Sequence, residues 1–393
     1  MASVITSITR TPIGRFGGAL TPLSAVDLGA AAIQAALERS GLAPDRVDEV
    51  LMGHVITAGA GQITARQAAA KAGVPMTVPA TSINKVCLSG MTAIAWADKD
   101  IRLGEATFVV AGGMESMSNA PYLVPAARWG ARMGDTPMVD SMNHDGLFCA
   151  FDRCMMGEST DRKSAALGIG REEQDAWAVE SHLRAEAARS SGHFAAEIVP
   201  VAVPQRKGDP VVVADDEGIR PGTSAESLAR LRPAFDPQGT VTAGNASQIS
   251  DGAAAVIVAD RAAAEAAGLP IVAEIVAYGQ VGGADATLHE RPAQALQIAL
   301  DRAGMSVGDL DVVEINEAFA AVALWSSRML GLSSDRVNPH GGAVALGHPL
   351  GATGARIVVT LINALQARGG GIGAATLCGG GGQGDALIVK VGR

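Results

Sequence analysis

The sequence predicts an α/β protein built from two similar halves, the first of them interrupted by a long insertion. Three observations predict it. A ten-residue segment recurs without gaps, strands alternate with helices on the same spacing in both copies, and residues 119–250 have no counterpart in the second copy. Residues 1–118 and 251–270 therefore form one half, 119–250 an inserted loop domain, and 271–393 the other half.

The repeat sets Ala32-Ile33-Gln34-Ala35-Ala36-Leu37-Glu38-Arg39-Ser40-Gly41 on Ala295-Leu296-Gln297-Ile298-Ala299-Leu300-Asp301-Arg302-Ala303-Gly304. Both segments read as amphipathic helices ended by glycine. An acidic link and an apolar strand follow each, Val47 to Gly53 and Leu310 to Asn316, which brings Gly53 opposite Asn316. In the next unit Ser89-Gly90-Met91 and Thr353-Gly354-Ala355 begin two long helices. These lead into strands Thr107 to Ala111 and Ile372 to Leu377. Each copy closes on a last strand, Ala253 to Ala259 and Ala386 to Val391. Buried strands alternating with helices predict a largely parallel sheet in each half. The insertion is rich in Met, Pro, Gly and charge, with one clear helix from about Arg171 to Ser191, and reads as a lid, a binding surface or an oligomer contact.

Composition narrows the function. With 393 residues the chain is long enough for a large core, and 48% apolar with 18% charged residues describes an ordinary globular protein. Forty-eight glycines against 3% aromatics point to close packing of helices and strands. A net charge of −9 without basic runs argues against a nucleic-acid partner. No stretch reads as a membrane span, and Met1-Ala2-Ser3-Val4 begins no charged and apolar leader. Four cysteines without paired spacing suit a reducing compartment, so a cytoplasmic location is expected.

The chemistry sits among glycines. Asn338-Pro339-His340-Gly341-Gly342, Gly347-His348-Pro349-Leu350-Gly351 and Thr376-Leu377-Cys378-Gly379 lie near the C-terminus. Asn84-Lys85-Val86-Cys87-Leu88-Ser89-Gly90 lies far upstream. If the halves are related by a pseudo-twofold axis, Cys87 and His348 precede corresponding helices and converge at one cleft. A helix N-terminus lowers a thiol pKa, which makes Cys87 the expected nucleophile. An isolated cysteine is more often a small buried hydrophobe, but Cys87 and Cys378 each stand between a strand and glycines. His182, His193 and His289 read as doing no chemistry, and His340 as orienting a glycine turn. Cys149 and Cys154 lack a second pair, so no metal site is expected. Gly379, Gly381 and Gly384 match a dinucleotide fingerprint only in spacing, because a strand from Ala386 follows where that motif needs a helix.

Taken together, these motifs resemble the thiolase family over essentially the whole chain, and most nearly its acetyl-CoA acetyltransferase branch. The likeness is carried by Arg10-Thr11-Pro12-Ile13-Gly14, Asn84 to Gly90, Ala111 to Ser118, Leu231 to Phe235, Asn316-Glu317-Ala318-Phe319, Gly341 to Arg356, and Cys378 to Gly384. It implies two duplicated βαβαβαββ halves in a layered αβαβα core with an inserted loop domain. It also implies reversible condensation of two acetyl-CoA to acetoacetyl-CoA and CoA through an acetyl-cysteine, with no tightly bound cofactor.

By the same resemblance Cys87 is the nucleophile activated by His348, and Cys378 the base on the second acetyl-CoA. Asn316 holds a water that serves the enolate, and Gly380 lends an N–H to the acyl oxyanion. The matched CoA-contacting positions are Arg220, Ser227, Phe235, Ala243 and Ser247, and the pocket positions are Met156, Leu288 and Phe319. A homotetramer, a dimer of dimers with Ser118 to Met142 as the tetramer contact, is implied as well. Met155, the Leu288-His289-Glu290-Arg291-Pro292 segment, Gln248 and Ser250 depart from the family pattern around the pocket and bear on acyl length. Two other functions remain to be weighed: a broader 3-ketoacyl-CoA thiolase of β-oxidation, and a CoA-binding protein without turnover.

Overall fold

The computed structural model describes residues 3–392 of the chain. The first copy runs β1 (Ser3–Arg10), α1 (Ala25–Ser40), β2 (Glu49–Gly53), α2 (Thr64–Lys71), β3 (Ala80–Ile83), α3 (Ser89–Leu103) and β4 (Phe108–Ser116), then breaks. The insertion carries α4 (Met156–Leu167), α5 (Arg171–Ser190), the short α6 (Ala225–Ala229) and small two-stranded ribbons. The first copy resumes as β5 (Ser250–Asp260) and α7 (Arg261–Ala266). The second copy is β6 (Ala273–Gly282), α8 (Arg291–Ala303), β7 (Val312–Ile315), α9 (Ala320–Leu330), α10 (Ala343–Leu346), α11 (Leu350–Ala367), β8 (Gly371–Gly379) and β9 (Gln383–Val391).

The repeat holds at the caps of its first helices, but the second copy departs from the expected βαβαβαββ order: where β3 pairs with β2 in the first copy, only Val337, among the described residues, makes an isolated bridge to Val313. α1 ends at Gly41 with φ 74° and α8 at Gly304 with φ 65°, left-handed positions where a Cβ would be strained. Each is followed by one 3-10 turn, Pro44–Arg46 or Val307–Asp309, before the next strand. α11 begins at Leu350, three residues ahead of the start expected at Thr353.

The strands form a continuous sheet ordered β7-β8-β9-β6-β1-β5-β4-β2-β3, and the two-residue strand Gly14–Arg15 adds to β5. The halves join edge to edge where Val4 and Ile5 of β1 pair with Glu274 and Ala273 of β6. The expected parallel sheets are mixed instead. β1, β5 and β4 pair antiparallel while β4, β2 and β3 pair parallel; likewise β6, β9 and β8 are antiparallel and only β8 and β7 parallel. The reason is connection length. β8 turns back into β9 through three residues, a connection too short for a parallel crossover. The first half keeps the same antiparallel pairing, Ser116 opposite Asp251, with the insertion in place of that tight turn.

Five layers result. α1 and α2 cover the first half from outside, α8 and α9 the second, and α3 and α11 pack against each other between the two halves of the sheet. Glycine makes this central contact possible: a Cβ on Gly90 of α3 would lie 2.8 Å from the Ala355 nitrogen of α11. α11 corrects one expectation, since its 18 residues with mean hydropathy 1.2 match a membrane span in length and composition. Its apolarity has another cause here, because 89% of that stretch is buried between the sheets.

The insertion has a second long helix, α4, that the sequence hid. Its opening Met156-Gly157-Glu158-Ser159-Thr160 has few apolar residues, and it is held by tertiary contacts rather than by an amphipathic stripe. The inserted segment is tied to the first half by Arg10, fully buried, which bonds Glu197 at 2.5 Å and Asp216 at 2.7 Å.

Candidate active site

Cys87 occupies a strained turn between β3 and α3. The preceding Val86 has φ 51°, a left-handed conformation that a β-branched residue rarely takes. Its neighbours impose it. The Val86 N–H donates to Asn84 Oδ1 (3.1 Å), Ser89 Oγ donates to the Val86 carbonyl (2.6 Å), and Lys85 is anchored to Asp385 (2.8 Å). The turn leaves the thiol at the N-terminal end of the central helix α3, as expected. The expected lowering of its pKa does not follow. Burial pushes the Cys87 thiol up to about 12, against the pull of the Gly380 and Cys87 N–H groups, and Glu115 adds to the rise. Desolvation outweighs the helix terminus, so the resting sulfur carries its proton.

His348 lies between α10 and α11, on the segment from the second half that matches the Cys87 turn. Its Nδ1 lies 2.7 Å from Thr353 Oγ1, whose own hydroxyl proton is directed to the Pro349 carbonyl at 2.8 Å. That network assigns the ring proton to Nδ1 and leaves Nε2 as an acceptor. Burial, helped by the Arg356 charge, pulls His348 down to about 3, so the imidazole is neutral at physiological pH. The departures Gln248 and Ser250 hold this segment. The His348 N–H donates to the Gln248 carbonyl (3.1 Å) and lies 3.3 Å from Ser250 Oγ, while the Gln248 amide donates to the carbonyls of Gly218, Val344 and Ala345.

Asn316 follows β7, fully buried, with Nδ2 at 3.5 Å from His348 Nε2 and with Oδ1 unpartnered among the described residues. Cys378, near the end of β8, is fully buried beside Leu288, Ala318 and Phe319, and burial with the nearby Cys87 raises its thiol well above the ordinary range.

A small cavity of about 60 Å³ is lined by Cys87, His348, Gly380, Met156, Leu288, Phe319 and Ser247, among others. It opens toward a larger pocket of about 560 Å³, with which it shares Leu147, Met156, Ser247, Ala318 and Phe319. Arg220, Phe235, Ala243 and Ser247 line that pocket, as does Met155. Ser227 does not. Its hydroxyl and N–H close a capping box with Ser224 at the start of α6. His340 stacks on His193 at 3.5 Å between ring centroids, away from both cavities.

Several lining residues carried no sequence signal. Gly146 and Leu147 come from an irregular part of the insertion without a motif. Glu115 sat inside a quoted motif without a role. Its carboxylate accepts from the Val55 and Ile56 N–H groups (both 3.1 Å) and from Gly351 N–H (2.9 Å), joining the first half to the start of α11.

Comparison with known proteins agrees with this geometry. Residues 3–262 match the model of the thiolase N-terminal domain and residues 269–391 that of the thiolase C-terminal domain. A probable acetyl-CoA acetyltransferase of Mycolicibacterium smegmatis is 54% identical over 387 residues, 98% of this chain and 100% of that protein. An acetyl-CoA acetyltransferase of Thiocystis violacea is 51% identical, with 98% of each chain covered. The crystal structure of the Bacillus anthracis acetyl-CoA acetyltransferase superposes with TM-score 0.97 at 42% identity, covering 99% of this chain and 98% of that one. With both family domains spanning nearly the whole chain and with Cys87 and His348, one from each half, drawn to one cavity, the chain belongs to the thiolase family.

Proposed function

We propose that this thiolase is an acetyl-CoA acetyltransferase, converting two acetyl-CoA to acetoacetyl-CoA and CoA and running the reverse thiolysis. The observation that carries the reading is the cavity of about 60 Å³ at Cys87, which suits a two-carbon acyl group and is walled by Met156, Leu288 and Phe319. Full-length relatives bearing that name support it.

A protonated thiol beside a neutral imidazole sets the order of steps. Cys87 gives its proton to His348 Nε2 as the sulfur attacks the thioester, and the oxyanion forms near the Gly380 N–H. The departing CoA thiolate takes the Cys378 proton, leaving a thiolate beside the imidazolium. Cys378 then removes a proton from the α-carbon of the second acetyl-CoA, the enolate facing His348 and a water on Asn316. The unpartnered, buried Asn316 Oδ1 supports that water. The carbanion attacks the acetyl group, acetoacetyl-CoA leaves, and His348 returns its proton to Cys87, so charge and protons balance over the cycle.

In this reading CoA takes the outer pocket of about 560 Å³, its pantetheine arm passing Ser247 and its polar end near Arg220, both of which line it. Ser227 has no place in that reading. A homotetramer through residues 118–142 is supported by Trp129, Met133 and Met138, which are 79%, 99% and 65% exposed in the single chain. Four free cysteines support a cytoplasmic setting. Comparing thiolysis of acetoacetyl-CoA with that of a six-carbon and a longer 3-ketoacyl-CoA tests the assignment, with Cys87→Ala as the blank. Preference for the longer substrates would move the protein to the broad-chain class. Absence of a +42 Da acetyl adduct on Cys87 after incubation with acetyl-CoA would leave only a binding protein.

A further inference from the structure

His289 stands in the wall of the acyl cavity but contributes no atom to its lining. The residue before it, Leu288, is 5% exposed and faces the reacting sulfur's cavity, whereas the His289 ring is fully buried behind it. His289 Nε2 lies 3.0 Å from Ser164 Oγ on α4, the helix whose first residue, Met156, forms another wall. The His289 carbonyl accepts from Ser326 Oγ (2.7 Å) on α9, and Phe319 at the cap of α9 forms a third wall. The next residue, Glu290, pairs with Lys163 of α4 at 3.3 Å. One residue thus ties the Leu288 loop to the two helices that carry the opposing walls.

We propose that His289 is a positioning residue for acyl-length selection, clamping Leu288 against Met156 and Phe319 through its bond to Ser164. The chemical class concerned is the acyl chain of 3-ketoacyl thioesters; the inference rests on the short-chain reading above for its direction. A hydrophobic wall discriminates one added methylene by no more than its own rigidity allows. Moving a leucine side chain by about 1 Å admits carbon that a fixed one excludes. A buried hydrogen bond between side chains of different elements supplies that rigidity, and loss of one partner leaves the other polar atom stranded. Burial, helped by the Lys163 charge, lowers the ring to about 4, so the clamp is a neutral one throughout the physiological range.

The test is the ratio of thiolysis rates, kcat/KM on a six-carbon 3-ketoacyl-CoA over kcat/KM on acetoacetyl-CoA, in the full-length enzyme. His289→Ala is expected to raise that ratio about tenfold, and Ser164→Ala, which keeps the ring, several-fold. His289→Asn, which keeps a polar reach toward Ser164, is expected to return part of the selectivity. Acetylation of Cys87 by acetyl-CoA is expected within about twofold of the parent in all three, because none touches the reacting atoms. A ratio unchanged in both His289→Ala and Ser164→Ala, with both rates falling together, would overturn the clamp and leave a merely structural contact. If His289→Ala does not fold, the ratio in Ser164→Ala alone decides. A parent enzyme that already prefers the longer substrate would refute the short-chain reading, and the clamp would still stand or fall on whether the variants change the ratio.

Discussion

The carboxylate of Glu115, at the end of β4 in the first half, accepts a hydrogen bond from the N–H of Gly351, in the first turn of α11 in the second half, at 2.9 Å. The same carboxylate takes the Val55 and Ile56 N–H groups and lies 3.3 Å from His54 Nε2. A negative charge at the start of the helix that follows His348 is favourable, and the carboxylate ties that helix to the segment after β2.

Glu115→Gln should therefore cost more than one hydrogen bond. Its amide NH2 would face donors, stranding buried N–H groups, so a loss of about 3 kcal/mol is expected in chemical denaturation. The acetylation rate of Cys87 should fall as well, since α11 carries His348 at its entry. A variant as stable as the parent would mean the halves are held by the sheet junction and the α3–α11 contact alone.

Cys378→Ala should separate the half-reactions. Cys87 still has His348 as base, so the acetyl-enzyme is expected to form on acetyl-CoA and appear in the intact mass. Condensation and thiolysis are expected to fall at least about 10³-fold for want of the group that handles the α-carbon proton. Full turnover in this variant would assign the base elsewhere.

The pH profile follows from the two burial shifts. His348, at about 3, stays unprotonated above that pH, and Cys87, at about 12, keeps its proton below that pH, so the dyad holds one proton across the physiological range. Alkylation of Cys87 by iodoacetamide is thus expected to show no inflection near the ordinary histidine value of about 6.5. A sigmoid centred there would mean that solvent reaches the imidazole.

Acid should destabilise the fold through its buried and half-buried histidines. His182, His289 and His340 are lowered to about 4 and His348 to about 3, from 6.5. The unfolded chain binds protons that the folded chain refuses in that window, so their contribution is whole above 6.5 and is lost as pH falls through the folded values. Glu314 opposes it, being raised to about 8 and so favouring the fold at lower pH. Five lowered histidines, with His193 among them, should still outweigh Glu314 together with the raised carboxyls of Glu49, Asp100 and Asp251, and lower the urea midpoint between about pH 6.5 and about pH 4.5. A midpoint that rises over that interval would contradict this.

Gly53→Ala tests the close approach at the centre. The added Cβ would lie 2.6 Å from the Gly351 carbonyl oxygen and 2.7 Å from Ser89 Cβ, pressing on both central helices. Overpacking of about 2 kcal/mol or more is expected, with reduced acetylation because the Cys87 and His348 turns abut those helices. Unaltered stability would require the helices to part freely.

The duplication, its glycine caps, the place of the insertion and the pairing of Cys87 with His348 were all legible in the residues. Each is written locally, in hydrophobic period, turn chemistry or a motif. The candidate site was legible in part, since Asn316 and Cys378 lie fully buried outside the lining of the cavity. Cys87, His348, Gly380, Met156, Leu288, Phe319 and Ser247 reach one cavity, whereas Ser227 is spent on a helix cap and Gly146 and Leu147 arrive from a loop without a pattern.

Only the tertiary structure decided the rest, because it depends on what packs against what. Strand direction followed from the three-residue return between β8 and β9, not from the apolar runs that suggested parallel pairing. The thiol pKa followed from burial, which a sequence can state only as a helix terminus nearby, and desolvation proved the stronger effect. The halves met at Val4 and Ile5 against Glu274 and Ala273, and the walls of the acyl cavity were joined by His289 and Ser164, 125 residues apart. Local pattern specifies elements and turns; desolvation and contact between distant residues exist only once the chain has folded.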